Sequence, residues 1–304
     1  MSHALNPDTI FLHESAKIIQ NIRAFFAARH VLEVQTSLLA ETGVTDPHLH
    51  SIRTSHGYLQ TSPEYAMKRL LANGSGDIYQ ICKAFRREEV GRWHRCEFTM
   101  LEWYRVGYDH HQLMDDMDAL LQSILKSCPA ERVTYEDLFL THLDIHPHDA
   151  TLEQLQDEAK KHGLLDVFGK EHRNHDDWLN LLLSHCIEPK LGMNTPCFVY
   201  DYPASQAMLA KIKNNKASRF EVYYKGIELA NGFHELQDAK EQRARFEENN
   251  RVRQTMNLEI IPIDEAFLAA LEKGLPDCAG VALGVDRLIL LALGMDGFQT
   301  IACV

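Results

Sequence analysis

Two strand-like segments separated by a charged loop constrain this chain more than any other feature. The first, Ile78–Arg86, mixes apolar and aromatic residues, and the second, Cys96–Tyr104, places Phe98, Glu102 and Tyr104 at spacings of two or four. Even spacings put side chains on the same face of a strand. We therefore predict a hairpin, one strand face of which presents a ring, a carboxylate and a phenol together.

The loop of this hairpin, Arg87–Arg95, is polar and longer than the two to five residues that close most hairpins. Long loops on rigid sheets commonly carry function, and with Arg86, Glu88 and His94 nearby the hairpin is suited to hold a nucleotide. Charge runs are more often solvated faces. An exposed, salt-bridged hairpin is therefore the alternative interpretation.

Composition narrows the class of protein. The chain has 304 residues, 45% of them hydrophobic, so it can bury a large core. A formal net charge of -12 argues against broad affinity for polyanions, although a locally basic pocket is compatible with it. The seven cysteines are scattered and lack CxxC spacing, which predicts neither a disulfide framework nor a thiolate zinc site.

No targeting signal is apparent. The sequence shows no basic segment followed by a short apolar one at its N-terminus and no run of eighteen apolar residues. Together with the cysteine usage, this predicts a cytoplasmic protein.

The rest of the chain reads as alternating helices and strands. Predicted helices are Phe11–His30, Asp109–Lys126, Thr151–His162 with a capping box of Thr151 and Gln154, Asp176–Ile187, Asp286–Leu293, and two beginning at Asp238 and Asp264. Predicted strands are Val31–Leu39, Pro196–Asp201, Gly280–Val285, and a hairpin Arg219–Phe233 that turns at Lys225-Gly226. Without repeats or linkers, we expect a single domain over residues 1–304 with a helical insertion at about 107–195.

Phosphate binding would have to proceed without the common glycine-rich loops, because neither GxxxxGK[ST] nor a strand-linked GxGxxG is present. Arg86 and Arg287 are the candidates, since guanidinium groups bind phosphate oxygens in a bidentate fork. Arg287 also falls in the first turn of a predicted helix, where the dipole favours anions. A surface ion pair is the alternative for Arg287.

Glu221 and Glu228 flank the Lys225-Gly226 turn and would share one sheet face if the loop has two residues. Like charges there need a cation, and oxygen ligands aided by substrate phosphates suit Mg²⁺. A regular strand would put Glu228 and Asn231 on opposite faces, so we predict a β-bulge near Asn231-Gly232 that brings both to one side.

Several histidines are weaker candidates for metal binding. His142, His146 and His148 and the pair His110-His111 lack nearby cysteines or carboxylates at ligand spacing. We expect them to be solvated or locally hydrogen-bonded.

Three segments resemble the signature motifs of class II aminoacyl-tRNA synthetases, specifically the lysyl branch. ICKAFRREE with HRCEFTMLEWY is similar to motif 2, AGVALGVDRLILL to motif 3, and FFAARHVLEVQTSLL to motif 1, with Ser37 where the family has proline. The resemblance covers essentially the whole chain. It implies an α+β fold in which an antiparallel sheet is flanked by helices, and a homodimer built on motif 1.

Three departures resemble a truncated branch of that family. About ten residues precede the first predicted helix, so we expect no anticodon-binding domain and no anticodon recognition. The segments TSPEYAMKRLL and RFEVYYKGIELANGFHEL, and Ala282 where the synthetases have glycine, are similar to the branch that modifies elongation factor P. The resemblance implies ATP-dependent activation of (R)-beta-lysine as an aminoacyl-adenylate and transfer to the ε-amine of a lysine on elongation factor P.

The resemblance also assigns roles by position. Arg86 would bind the α-phosphate of ATP and Arg287 the γ-phosphate, Glu88 the adenine region, and Phe98 would stack on the base. Arg87 and Arg95 depart from the family, which has asparagine at both positions. The implied nucleotide-binding set is Arg86, Arg87, Glu88, His94, Arg95, Phe98, Glu228, Leu229, Gly284 and Arg287, with Glu221 and Glu228 holding Mg²⁺. The implied amino-acid pocket is Ser62, Pro63, Glu64, Glu102, Tyr104, Asn231, Phe233, Glu235 and Ala282.

This assignment agrees with the charges. The ammonium groups of a lysine-type substrate would find charge-assisted partners in Glu64 and Glu235, worth about 1.5 to 3 kcal/mol each. Two further functions stay open: a lysine-type amide synthetase or residual tRNA-charging enzyme, and a non-catalytic paralogue that senses an amino acid. Retention of Arg86 and Arg287 argues against the sensor, which needs no α-phosphate chemistry.

Overall fold

The computed structural model describes residues 7–87, 90–168 and 174–300. Within them the chain divides into two compact units. The first comprises Met1–Asp109, Ser123–Leu125 and Glu235–Val304, and the second comprises His110–Gln122 and Lys126–His234.

The helices, in chain order, are α1 Pro7–Ala27, α2 Glu64–Ala72, α3 His110–Leu125, α4 Tyr135–Leu143, α5 Leu152–Lys161, α6 His175–Leu182, α7 Ala239–Thr255, α8 Glu265–Gly274 and α9 Val285–Ala292. The strands are β1 Leu32–Glu33, β2 Leu39–Ala40, β3 Ile52–Thr54, β4 Gly57–Leu59, β5 Ile78–Phe85, β6 Glu97–Val106, β7 Glu131–Thr134, β8 Cys197–Pro203, β9 Ile212–Lys213, β10 Lys216–Tyr224, β11 Ile227–His234 and β12 Cys278–Gly284.

The sheet of the first unit is built around the predicted hairpin. Strand β5 pairs antiparallel with β6, from Ile78 opposite Tyr104 to Phe85 opposite Glu97, and β6 pairs antiparallel with β12. At the other edge β1 pairs parallel with β5. The hairpin prediction and the antiparallel α+β fold class are therefore confirmed.

Helix α1 covers this sheet through aromatic contacts. The ring of Phe26 stacks on Tyr79, with centroids 4.4 Å apart, and meets Trp103 edge-on at 5.3 Å. Phe26 and Trp103 are fully buried. Burial of a large apolar side chain contributes about 1.5 to 3 kcal/mol, so the helical spacing predicted for α1 translates directly into packing on the hairpin.

Helices α2 and α8 pack against each other in the same unit. The ring of Tyr65 stacks on Phe267 with centroids 4.6 Å apart. The Asp264 side chain caps α8 by accepting from the backbone N–H of Phe267 at 2.8 Å, and Asp238 caps α7 in the same way. Both helix starts agree with the sequence prediction.

The strands of the second unit follow the order β11, β10, β8 and β7, with β9 beside β10. Lys225 and Gly226 have φ values of 52° and 72°, so they form the predicted two-residue turn between β10 and β11. Tyr223 pairs with Glu228, and Val222 pairs with Ala230, which leaves Leu229 as an extra residue on β11.

The extra residue makes a β-bulge in β11, as predicted, but at a different position. We predicted it near Asn231-Gly232, and the structure has it at Leu229, closer to the turn. Asn231 lies opposite Glu221, and Glu228 opposite Tyr223. Since Glu221 and Tyr223 are two residues apart on one strand, Glu228 and Asn231 share their sheet face.

Helices α4, α5 and α6 share with the strands of the second unit a core that includes Tyr135, Phe139, Leu155 and Trp178. Helix α5 begins with the predicted capping box: the Thr151 side chain accepts from the backbone N–H of Gln154, whose own side chain accepts from Thr151. The segment predicted as a helical insertion also contains strand β7, which pairs parallel with β8 and was not predicted.

The strand predicted over Val31–Leu39 was too long. This segment forms only β1 and β2, because a strand needs a hydrogen-bonded partner strand. The chain leaves β5 after the Val34 N–H donates to the Tyr79 carbonyl.

In the part of the chain that the structure describes, no helix has the length and apolar character needed to cross a membrane.

Candidate active site

Three carboxylates and one ammonium group form a buried cluster in the first unit, which we call the acidic pocket: Glu64, Glu102, Glu235 and Lys68. Glu64 and Lys68 lie four residues apart on α2, and Glu102 lies on β6. Glu235 lies beside β12, where its backbone N–H donates to the carbonyl of Cys278 at 3.0 Å. Long-range packing of a helix on two strands thus assembles the cluster.

Glu102 is held by two hydroxyl groups. Ser62 Oγ donates to one carboxylate oxygen at 2.6 Å and Tyr104 OH donates to the other at 2.6 Å. Burial, with only 2% of the residue exposed, and then the neighbouring Glu64 raise the pKa of Glu102 to about 7. The hydrogen bonds from Ser62 and Tyr104 oppose this shift without cancelling it, so the pocket favours the protonated form of Glu102 more than water does.

Lys68 is the cation of the pocket. Its Nζ donates to Glu64 Oε1 at 2.6 Å and lies 2.6 Å from Glu235 Oε2. The side chains of Lys68 and Glu235 are each 1% exposed, whereas that of Glu64 is 17% exposed. Burial opposes the charge on Lys68, but Glu235 and Glu64 raise its pKa above the ordinary value, so Lys68 is charged.

The strands beside the pocket leave space for these side chains. Gly280 on β12 lies opposite Tyr104, and a Cβ at Gly280 would overlap the Tyr104 ring and stand 2.6 Å from Glu235 Oε1. Ala282 lies opposite Glu102, so its methyl group is on the same sheet face as that carboxylate. Gly280 therefore permits the close approach of Tyr104 and Glu235, and Ala282 is a neighbour of the pocket.

A second group of predicted residues lies at the far end of the hairpin. The Arg86 guanidinium stands 5.1 Å from the centre of the Phe98 ring. Arg287 Nε donates to the Trp93 carbonyl at 3.0 Å, which links α9 to the hairpin loop. Asp286 accepts from the backbone N–H of Thr99 at 2.7 Å, a second link. Both arginines are thus anchored on the hairpin.

Gly284 is the residue that precedes α9, so Arg287 stands in the first turn of that helix as predicted. The backbone N–H of Arg87 donates to the backbone carbonyl of His50 at 2.9 Å. The Arg95 guanidinium lies 4.4 Å from the centre of the Phe298 ring. Within the loop, the backbone of His94 pairs with that of Gly91 in an isolated antiparallel β-bridge. Glu88, predicted near adenine, lies outside the described residues.

The predicted metal residues belong to the second unit, where Glu221 has a cation of its own. Its carboxylate is paired with Arg219 and accepts from Tyr202 OH at 2.7 Å and Tyr223 OH at 2.5 Å. The Tyr223 hydroxyl oxygen also lies 3.2 Å from Glu188 Oε1. Arg219 is therefore a cation within the protein beside one of the two glutamates predicted to need one.

The same arginine contacts the other predicted residues of β11. Arg219 Nε donates to Asn231 Oδ1 at 3.2 Å, and Arg219 lies opposite Phe233 in the ladder. Leu229, at the bulge, is 2% exposed. Arg219 therefore connects the predicted metal residue Glu221 with the predicted substrate residue Asn231.

The donor atoms of this cluster fit a hard cation such as Mg²⁺ in their chemistry. Burial, followed by Glu221 and Glu228, raises the pKa of Glu188 to about 7, which indicates excess negative charge beyond what Arg219 neutralises. Across residues 7–87, 90–168 and 174–300, no three His, Cys, Asp or Glu side chains are arranged to hold a metal ion by themselves. A magnesium ion here would need phosphate oxygens as further ligands.

Sequence reasoning missed four functional candidates. Lys68 carried a usable signal, since a lysine four residues after Glu64 on a helix predicts an ion pair. Arg219 carried one as well, since residues two apart on a strand share a face and Glu221 follows Arg219 by two residues on β10. Tyr202 and Glu188 carried none, because their partners Glu221 and Tyr223 lie on a different element.

Comparison with known proteins gives a consistent result. The family described as "tRNA synthetases class II (D, K and N)" matches residues 9–302. A protein of Vibrio vulnificus named elongation factor P–(R)-beta-lysine ligase is 56% identical over 296 residues, which cover 93% of this chain and 91% of that protein. Proteins of the same name from Vibrio atlanticus and Salmonella typhi are 54% and 50% identical, covering 94% and 95% of this chain and 92% and 93% of theirs.

Proposed function

The chain belongs to the class II tRNA synthetases of the D, K and N group, and from this membership we propose that it activates (R)-beta-lysine with ATP and transfers it to a lysine ε-amine on elongation factor P. The observation that carries the proposal is the acidic pocket. Its three carboxylates face one internal ammonium group, Lys68, and the excess negative charge suits an amino acid rich in ammonium groups.

The first step requires no general base, because the substrate carboxylate is ionised at neutral pH. Its oxygen attacks the α-phosphorus of ATP, the bond to the bridging oxygen breaks, and pyrophosphate leaves. We assign charge stabilisation at the α-phosphate to Arg86 and at the γ-phosphate to Arg287, since guanidinium groups pair with phosphate oxygens. Mg²⁺ held by Glu221 and Glu228 would supply further charge neutralisation.

In the second step the acceptor amine attacks the acyl carbon of the adenylate. An amide bond forms, the acyl–phosphate bond breaks, AMP leaves, and the amine loses a proton. The acidic pocket keeps the substrate ammonium groups charged and hydrogen-bonded, so they do not compete with the acceptor amine as nucleophiles.

For the remaining residues we propose roles from their positions in the motifs that resemble the family. Nucleotide contacts are assigned to Arg87, Glu88, His94, Arg95, Phe98, Leu229 and Gly284. Amino-acid contacts are assigned to Ser62, Pro63, Glu64, Glu102, Tyr104, Asn231, Phe233, Glu235 and Ala282. We also propose a cytoplasmic location, in keeping with the thiol state of Cys82, Cys96, Cys128, Cys186 and Cys197.

Mass spectrometry of elongation factor P tests the activity directly. Elongation factor P is incubated with the chain, ATP, Mg²⁺ and each lysine isomer in turn. We expect one added lysyl group on a lysine side chain with (R)-beta-lysine, and no addition by the Arg86→Met variant. Pyrophosphate exchange without modification of elongation factor P would favour an amide synthetase or tRNA-charging enzyme instead. Absence of both activities with every isomer would favour an amino-acid sensor.

The isomer preference has its own candidate, Ala282, whose methyl group neighbours Glu102 on the sheet. If this methyl group shapes the pocket for an amine on the β-carbon, the Ala282→Gly variant changes the ratio of α- to β-lysine activation in pyrophosphate exchange. An unchanged ratio removes Ala282 as the determinant.

A further inference from the structure

The charges of the acidic pocket do not balance within the protein. Burial raises the pKa of both Glu102 and Glu235, so full ionisation of the three carboxylates is favoured when further positive charge enters the pocket. With all three ionised, the ammonium group of Lys68 leaves two negative charges uncompensated. The hydroxyl groups of Ser62 and Tyr104 hold Glu102 but bring no charge. Buried charges are tolerated when they are paired, so this pocket is arranged for a ligand that brings two positive charges.

Lys68 determines how many negative charges in the acidic pocket stay uncompensated, and the position of its side chain is fixed by packing. Lys68 lies on α2, one helical turn after Glu64. Its side chain reaches Glu235 beside β12. Its side chain is 1% exposed, and its Nζ lies 5.9 Å from the centre of the Phe267 ring of α8. The contact with Glu235 therefore ties the helix that carries Glu64 to the strand that carries Gly280.

We propose that Lys68 is a positioning residue for the substrate: it holds Glu64 and Glu235 in place and sets the pocket charge to match the two ammonium groups of a diamino acid. This rests on the proposed function, since the ligand is taken to be a lysine-type amino acid. Lys68 touches the carboxylates and acts through them. Without it, a substrate ammonium group would be drawn between Glu64 and Glu235, and the reacting carboxylate would be displaced from the α-phosphorus.

The test uses the full chain and a charge-restoring pair of variants. Lys68→Met removes the cation and leaves a pocket with one carboxylate too many. Lys68→Met with Glu235→Gln returns the pocket to two uncompensated negative charges. Arg69→Met is the matched control, because Arg69 lies on the same helix with its side chain 41% exposed and its guanidinium 3.7 Å from Asp264. Kinetics are measured by lysine-dependent pyrophosphate exchange and normalised to the folded fraction.

We expect kcat/KM for the amino acid to fall at least tenfold in Lys68→Met, with the KM for ATP within twofold of the unmodified chain. The double variant should recover at least fivefold relative to Lys68→Met although it carries one more change. Arg69→Met should stay within twofold throughout. A Lys68→Met value within threefold of the unmodified chain, or a double variant no better than Lys68→Met, overturns the proposal.

A second measurement separates this proposal from the activity itself. Each lysine isomer is added to the same variants, and the rise in melting temperature reports binding. If the unmodified chain exchanges no pyrophosphate, the proposal still requires stabilisation that is lost in Lys68→Met and regained in the double variant. No stabilisation of the unmodified chain overturns it. If Lys68→Met does not fold, the double variant must exceed Glu235→Gln alone in lysine-dependent stabilisation, and the reverse order overturns the proposal.

Discussion

Glu102 shows how one buried residue trades stability for binding. Its folded-state pKa of about 7 lies above its ordinary value of 4.5, so between these values the folded chain holds a proton that the unfolded chain has lost. The resulting stability is fully present below pH 4.5 and is lost as the pH rises through about 7. Above that, the buried charge is a cost to the folded protein, and a bound ammonium group would relieve it.

The Glu102→Gln variant should therefore be more stable than the unmodified chain at pH 8 and about equally stable at pH 5. Glutamine imitates the protonated acid and can still bond with the hydroxyl groups of Ser62 and Tyr104. We expect a gain of about 1 to 3 kcal/mol in the free energy of unfolding at pH 8, measured by denaturant titration at both pH values. Equal stability of the two proteins at pH 8 would show that Glu102 carries no buried charge there.

At the scale of elements, the hairpin of β10 and β11 depends on a turn whose two residues both have positive φ, 52° at Lys225 and 72° at Gly226. This turn sets the register that places Glu228 opposite Tyr223, and with the bulge at Leu229 it brings Asn231 opposite Glu221. A Cβ at Gly226 would stand 3.2 Å from the Cα of Pro189. Lys225, in contrast, already carries a side chain.

Neighbouring substitutions in this turn should act in opposite directions. Gly226→Ala should lower the free energy of unfolding by about 1 kcal/mol or more, because alanine is strained at positive φ and crowds Pro189. Lys225→Asn should be neutral or slightly stabilising, because asparagine adopts positive φ more readily. Thermal and denaturant unfolding measure both. A Gly226→Ala variant as stable as Lys225→Asn would mean that the turn does not constrain the hairpin.

At the scale of the whole molecule, the first unit exposes large apolar side chains around α1 and the short strands that follow it. Leu12 is 55% exposed, Leu32 is 56% exposed and Leu39 is 40% exposed. Exposed apolar side chains that form a contiguous patch mark an interaction surface. Leu32 and Leu39 lie in the segment that resembles motif 1, and we propose that a second copy of the chain covers this segment.

Replacing Leu32 and Leu39 with aspartate should convert a dimer to a monomer of 34.8 kDa. Two buried charges per protomer would oppose association, while both side chains are exposed enough within one protomer to tolerate the change. Light scattering after size-exclusion chromatography measures the mass. Met193→Asp is the control, because Met193 is 56% exposed and lies in the second unit. An unmodified chain that runs as a monomer contradicts the proposal.

The sequence predicted the helices and strands better than it predicted which strands pair and in which register. Periodicity identified the hairpin of β5 and β6, and turn chemistry identified Lys225-Gly226, because both signals are local. The bulge was predicted from the need to align Glu228 with Asn231, but its position at Leu229 was not. Strand β7 was missed because four residues beside a parallel partner carry little pattern of their own.

The sequence by itself determined which residue types are present for this chemistry and the order in which they occur: Arg86 and Phe98 on one hairpin, Arg287 at the start of a helix, and paired glutamates about a turn. These follow from local spacing. Only the tertiary structure decided the charges that these groups experience. Lys68, which α2 places beside Glu64, also reaches Glu235, and Tyr202 donates to Glu221 beside Arg219, because helices and strands distant in sequence pack together and exclude water. Burial then gives each carboxylate a strong interaction with whatever charge lies beside it.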